Sequence, residues 1–312
     1  MGELMVDIYK GTSYDKYGLI SNPFSQLASE GINNFSDIHV RQDADSVLRN
    51  MVNDVVEGDS SAAISLTGPL GSGKTQRLKM VSNEVRNVNG KVIFIRVDTT
   101  NPIKLTRDIF EEFREEKEGL SLLIDKFWRK MGREDPLDKY LSNKDNYRAK
   151  KLAELLREEF EGYDNAALIL DEFENFENAD QESKMLFFEF IRHFISDLPN
   201  GTIFSIASTP TAYDIYKSLF SAFFARLHYE VSLGTMEKQE AKEMVKKRLK
   251  GKRTRTRSQT LYPFTEESVE YIHDAANGNP RTILRLLHLV LMEASRRDLD
   301  EINSENISKI LE

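Results

Sequence analysis

Residues 68–75 read Gly-Pro-Leu-Gly-Ser-Gly-Lys-Thr, and no other stretch of the chain restricts its fold as tightly. The pattern G-x-x-x-x-G-K-[ST] functions where a buried strand runs into a glycine-rich turn and the turn opens a helix. Both flanks comply, with the apolar run Ala62–Thr67 before the motif and a helical pattern over Gln76–Asn87 after it. Glycine lets the turn wrap backbone N–H groups around phosphate oxygens, and the helix N-terminus adds partial positive charge. Lys74 then neutralises β- and γ-phosphates, and the Thr75 hydroxyl holds Mg²⁺. The expected phosphate cradle is Gly68, Pro69, Leu70, Gly71, Ser72, Gly73, Lys74, Thr75 and Gln76.

A magnesium site beside that cradle needs a carboxylate at the end of a neighbouring buried strand. Leu168-Ile169-Leu170-Asp171-Glu172 supplies one, so Asp171 is expected to hold the metal through water and Glu172 to orient and polarise an attacking water. Taken alone, an apolar run ending in two acids is also a plain strand meeting a turn. Three further β-rich runs, Lys91–Asp98, Thr202–Ser208 and Leu227–Leu233, join Ala62–Thr67 and Ala166–Asp171 in a set of five with helical stretches between them. Such alternation predicts an α/β core of three αβα layers around a parallel five-stranded sheet, each strand apolar enough for burial on both faces.

After Gly234 the β-rich runs stop, and apolar residues recur at three- and four-residue spacing over Glu237–Leu249, Glu266–Ala276 and Thr282–Ala294. A small all-helical unit is predicted there. Thr265 with Ser268, and Asn277-Gly278-Asn279-Pro280, supply start and stop signals around its middle helix. The organisation expected is 1–45 as an N-terminal linker, 46–234 as the core and 235–312 as the helical unit. The charged stretch 101–163 is too long for one crossover helix, and Gly119, Gly132 and Pro136 break it into several. Sheet cover or a partner-binding insertion would both suit it, with Trp128 on an apolar helix face beside Leu123 and Phe127.

Composition removes whole classes of function. With no cysteine among 312 residues, disulfides, thiolate metal sites, Fe–S clusters and cysteine nucleophiles are excluded, and a reducing cytoplasm is the expected compartment. No apolar run reaches the length of a membrane span, so no membrane role is expected. A net charge of −8 argues against a surface that coats nucleic acid throughout, so any such contact is local.

Taken together, the loop at 68–75, Asp171-Glu172 and the helical tail make the chain similar to the AAA+ family of P-loop ATPases. That resemblance implies ATP as the nucleotide and hydrolysis as the reaction. It implies a polar sensor at Ser208 or Thr209, although Ser-Thr-Pro at 208–210 also reads as a strand-end turn. Arg226, just before the fifth strand, falls where the family keeps an arginine finger that reaches a neighbouring subunit, so a homo-oligomer is implied. A surface charge is the other reading of Arg226. Gly278-Asn279-Pro280-Arg281 resembles the lid motif in which Arg281 touches the nucleotide, and Ile38 and Val40 fall where the linker packs on adenine. His39, between them, is expected to be structural.

Asn22-Pro23-Phe24 and the short Gly-Asn-Pro-Arg lid look most similar to the branch holding replication initiators and transposition ATPases of the TniB and MuB kind, which act on DNA. One physical feature bears on this. Lys246–Arg257 contains no acidic residue in an otherwise acidic chain, which suits phosphodiester contact or, equally, a solvated loop. Two functions are therefore carried forward: a DNA-associated ATPase that assembles, and a nucleotide-controlled signalling switch that binds a protein partner. A small-molecule kinase is disfavoured, because the acid pair and the lid suit water as the nucleophile.

Overall fold

The computed structural model describes residues 14–26, 39–58, 60–115, 136–254 and 260–311. Ile38, Trp128, Arg255 and Arg257, all singled out above, lie outside the described residues. Five strands, β1 (Ala62–Thr67), β2 (Lys91–Arg96), β3 (Ala166–Asp171), β4 (Thr202–Ser208) and β5 (Tyr229–Ser232), form one sheet in the order β2-β3-β4-β1-β5. Every pairing is parallel.

The sheet is buried because alternate side chains go to opposite faces and both faces are apolar. On β3, Ala166, Leu168 and Leu170 join a core with α3 (Pro102–Glu115), α5 (Ala149–Phe160) and α6 (Gln181–Ser196). Ala167 and Ile169 join the opposite core, made with α1 (Asp43–Val56) and α2 (Lys74–Asn87). The three-layer α/β arrangement follows directly. Within 136–160 the charged stretch supplies α4 (Pro136–Leu141) ahead of α5.

Two strands are shorter than the sequence implies, and both are edges. The β5 strand pairs only with β1, and the residues before it are drawn into a turn in which Leu227 N donates to Phe224 O. At the other edge β2 ends at Arg96, after which Asn101 caps α3 by accepting from Ile103 N.

Aromatic rings fill the core behind β3. Phe173 lies 5.4–5.8 Å from the rings of Phe176, Phe187, Phe188 and Tyr216, and the Tyr216 hydroxyl donates to Phe173 O at 3.2 Å. Phe173 directly follows Glu172, so this packing fixes the end of β3. Phe173→Ala is expected to cost about 3–5 kcal/mol, measured as a shift in the denaturant midpoint at constant slope.

Chain contacts separate Asp43–Leu233, the sheet unit, from a second unit formed by Gly234–Glu312 together with the residues before Asp43. Four helices build the second unit: α9 (Lys238–Lys250), α10 (Glu266–Ala275), α11 (Pro280–Arg296) and α12 (Ser304–Leu311). Thr265 caps α10 by accepting from Ser268 N at 3.2 Å, and Asn279 caps α11 by accepting from Thr282 N at 3.1 Å. The α12 helix was not anticipated, being eight residues long with a single fully buried residue, Ile307. Residues 14–26 belong to this unit. Tyr17, Leu19 and Phe24 are fully buried in its core, Tyr17 Oη donates to Leu299 O, and Asn22 Nδ2 donates to His288 O.

Candidate functional site

Gly68–Thr75 joins the end of β1 to the start of α2 at the carboxyl edge of the sheet. Gly68 cannot carry a side chain, because a Cβ there would lie 2.6 Å from Ser72 Oγ and 2.9 Å from Leu233 Cβ. Gly73 has φ +97°, and a Cβ on it would meet Arg77 Nη1 at 2.8 Å. Steric need thus accounts for both glycines. Lys74 is buried, and its ammonium donates to Gly68 O at 2.7 Å and Pro69 O at 3.3 Å, so it lies folded along the loop it would share with a phosphate. Leu70, at the tip, is 66% exposed.

Across the loop, β3 delivers its acids. The Asp171 carboxylate accepts from Glu172 N at 2.9 Å. Burial raises the Asp171 pKa, and the neighbouring Thr75 hydroxyl, the Glu172 N–H and the Lys74 charge oppose the rise. Glu172 has φ 55°, the left-handed region that residues with a Cβ seldom occupy, which turns its side chain out of the strand. Its Oε1 forms an ion pair of 2.6 Å with Arg96 Nη2 at the end of β2. Glu174, on the 3₁₀ turn Phe173–Asn178, adds a third carboxyl group whose pKa is raised by burial.

The residues fit a magnesium nucleotide. Thr75 and Asp171 are near neighbours, which is the placement needed for a hydroxyl ligand and a carboxylate that holds a metal-bound water. Among the described residues no cluster of three or more His, Asp or Glu forms a metal cage of its own. A hard cation here would therefore complete its shell from phosphate and water.

Further residues singled out in the sequence fall as follows. Ser208 ends β4 opposite Thr67, and its carbonyl accepts from Gly68 N at 3.3 Å. Thr209 caps α7 (Pro210–Leu219), its hydroxyl accepting from Ala212 N at 3.4 Å. Arg226 follows the short helix α8 (Ser221–Phe224), with Nε donating to Ser196 Oγ at 2.6 Å and Nη1 donating to Ala222 O. In the second unit Val40 is buried in the helical core, and Arg281 is exposed in the first turn of α11. His39 is buried, and its carbonyl accepts from Lys247 Nζ. The basic run begins as helix rather than loop, since α9 extends to Lys250. Within it Arg248 Nη1 donates to Gln26 O, and Arg253 Nη2 donates to Tyr262 O. Lys250 and Lys252 are exposed.

Residues 57–207 match the family described as AAA domain. That stretch resembles an AAA domain. No curated protein sequence matches it. The Aeropyrum pernix ORC2 protein in its ADP form is similar in structure, with a TM-score of 0.60 at 16% identity over 94% of this chain and 73% of that one. The Aeropyrum pernix ORC1 protein in complex with DNA gives 0.58 at 14% identity over 91% and 67%, and Cdc6p from Pyrobaculum aerophilum gives 0.57 at 14% over 94% and 70%. Another ORC2 structure, with ADPNP and ADP, is spanned for 66% of its length. At such identities the likeness establishes the fold, and this chain spans about two thirds of the length of the structures it resembles.

Sequence reasoning missed three residues near the phosphate loop. Arg96 looked like any charged end of a strand, and only its register opposite Asp171 reveals its position. Arg77 and Asp45 meet across 32 positions of sequence, so no local pattern announces the pair.

Proposed function

We propose that this chain binds Mg-ATP and hydrolyses it to ADP and phosphate. The observation that carries the reading is the buried Asp171 at the end of β3, whose carboxyl group feels both Thr75 and Lys74 of the phosphate loop. Lys74 is within reach of phosphate oxygens along the loop, and its charge stabilises the negative charge that develops in transfer. The bound ion would supply charge neutralisation between β- and γ-phosphates. Glu172 accepts the proton of the attacking water, after its carboxylate leaves Arg96.

Assembly and DNA complete the proposal. Arg226, at the end of a helix preceding the edge strand β5, acts on the nucleotide of a second copy once it leaves Ser196. DNA contact through Lys246–Arg257 is supported by the exposed Lys250 and Lys252 and by the similarity to an ORC1 structure in complex with DNA. Ser208 is assigned as the polar sensor.

Phosphate release with and without duplex DNA tests the reading. Stimulation by DNA is expected, with free phosphate as the sole fate of the γ-phosphate. Arg226→Ala alone should lose about 10³-fold in rate and regain part of it when mixed with Glu172→Gln subunits. Absence of rescue would remove the trans role of Arg226.

A second reading is favoured by one observation. The 2.6 Å ion pair with Arg96 holds Glu172 in a fixed place, as suits a nucleotide-controlled switch with slow turnover and a protein partner. Unchanged turnover with DNA, together with association that depends on ATP or ADP, selects this reading.

A further inference from the structure

Arg77 and Asp45 form an ion pair with Nε to Oδ1 at 3.0 Å, and their side chains are 3% and 2% exposed. Asp45 comes from the first turn of α1, and Arg77 from the start of α2, three residues after Lys74. The guanidinium faces the phosphate loop on its other side. Its Nη1 lies 3.5 Å from Gly73 O and fills the space a Cβ on Gly73 would need.

Electrostatics make this placement unusual. The N-terminus of a helix carries partial positive charge, so a cation in its first turn is unfavourable and an acid is favourable. The first turn of α2 holds no acid, yet both Lys74 and Arg77 are buried near it. A buried ion pair is also a poor source of stability, since apolar residues of equal volume often do as well. Placement against the loop therefore calls for a reason other than folding.

We propose that Arg77 is a positioning residue whose charge supports phosphate binding from beneath Gly73, and that Asp45 sets how much of that charge the phosphate feels. The inference rests on the nucleotide-binding reading of the loop. The cation is nearer to the loop than the acid, because Asp45 holds the Nε and Nη2 side while Nη1 faces Gly73. The two groups should accordingly act on nucleotide affinity with opposite signs.

Equilibrium binding of Mg-ADP to the full chain decides this. Arg77→Gln should weaken binding by about tenfold, and Asp45→Asn should tighten it several-fold, the scale of one charge at short range in a protein interior. Both variants should unfold at lower denaturant, since each removes one member of a buried ion pair. A purely structural pair would instead weaken binding in both variants or in neither, and either result overturns the proposal. Should the single variants fail to fold, the apolar double variant Asp45→Leu/Arg77→Met is expected to fold and to bind Mg-ADP more weakly than the parent, whereas Arg77→Lys binds within about twofold of it. Parent-level binding by the double variant overturns the proposal as well. If the parent itself fails to bind Mg-ADP, the reading of the loop fails, and that outcome is distinct from a parent that binds with variants that do not diverge.

Discussion

Lys74→Ala should raise the Kd for Mg-ATP about a hundredfold or more while the protein stays folded. The lysine would give charge-assisted hydrogen bonds to phosphate oxygens, each worth about 1.5–3 kcal/mol, and a tenfold change in Kd corresponds to about 1.4 kcal/mol. In the structure its ammonium is held by two loop carbonyls, Gly68 O and Pro69 O, which become available to water when the side chain is shortened. Alanine is also an excellent residue inside a helix, so α2 loses little. Calorimetric titration with Mg-ATP, paired with a denaturation curve, checks both halves. Parent-like affinity in Lys74→Ala would mean that the loop grips no triphosphate.

For Glu172→Gln the effect should appear in kcat and not in affinity. The amide keeps the size and the left-handed backbone at φ 55°, but it cannot take a proton from water. A loss of about 10²–10⁴-fold in turnover is the usual contribution of a positioned base. Glu172 makes no contact with the loop among its described hydrogen bonds, pairing instead with Arg96, so Mg-ATP should bind Glu172→Gln about as well as it binds the parent. Single-turnover phosphate release measures the first effect and equilibrium binding the second. Parent-like hydrolysis would strip Glu172 of the role assigned to it.

How much of this was visible in the sequence depends on which interactions are local. The strands β1, β3 and β4 begin and end where the sequence places them, because each is buried on both faces and reads as a mostly apolar run. Edge strands are another matter, since β2 and β5 have one neighbour each and their ends are decided by turns and caps. The loop and the acids were legible because both are short words with fixed chemistry. Arg96 was not, as its meaning comes from lying opposite Asp171 in the sheet. Nor could periodicity reveal that Tyr17, Leu19 and Phe24 are core residues of a helical unit more than 200 positions away, as the bonds Asn22–His288 and Tyr17–Leu299 demonstrate.

That last arrangement has a consequence for how the polypeptide is made. The sheet unit is an insertion inside the helical one, whose beginning is synthesised first and whose remainder is synthesised last. Three large apolar side chains must wait, without their native neighbours, while the whole intervening unit emerges from the ribosome. Circular permutation that places residues 14–26 directly after α12 would shorten that wait and should raise the yield of folded protein during translation.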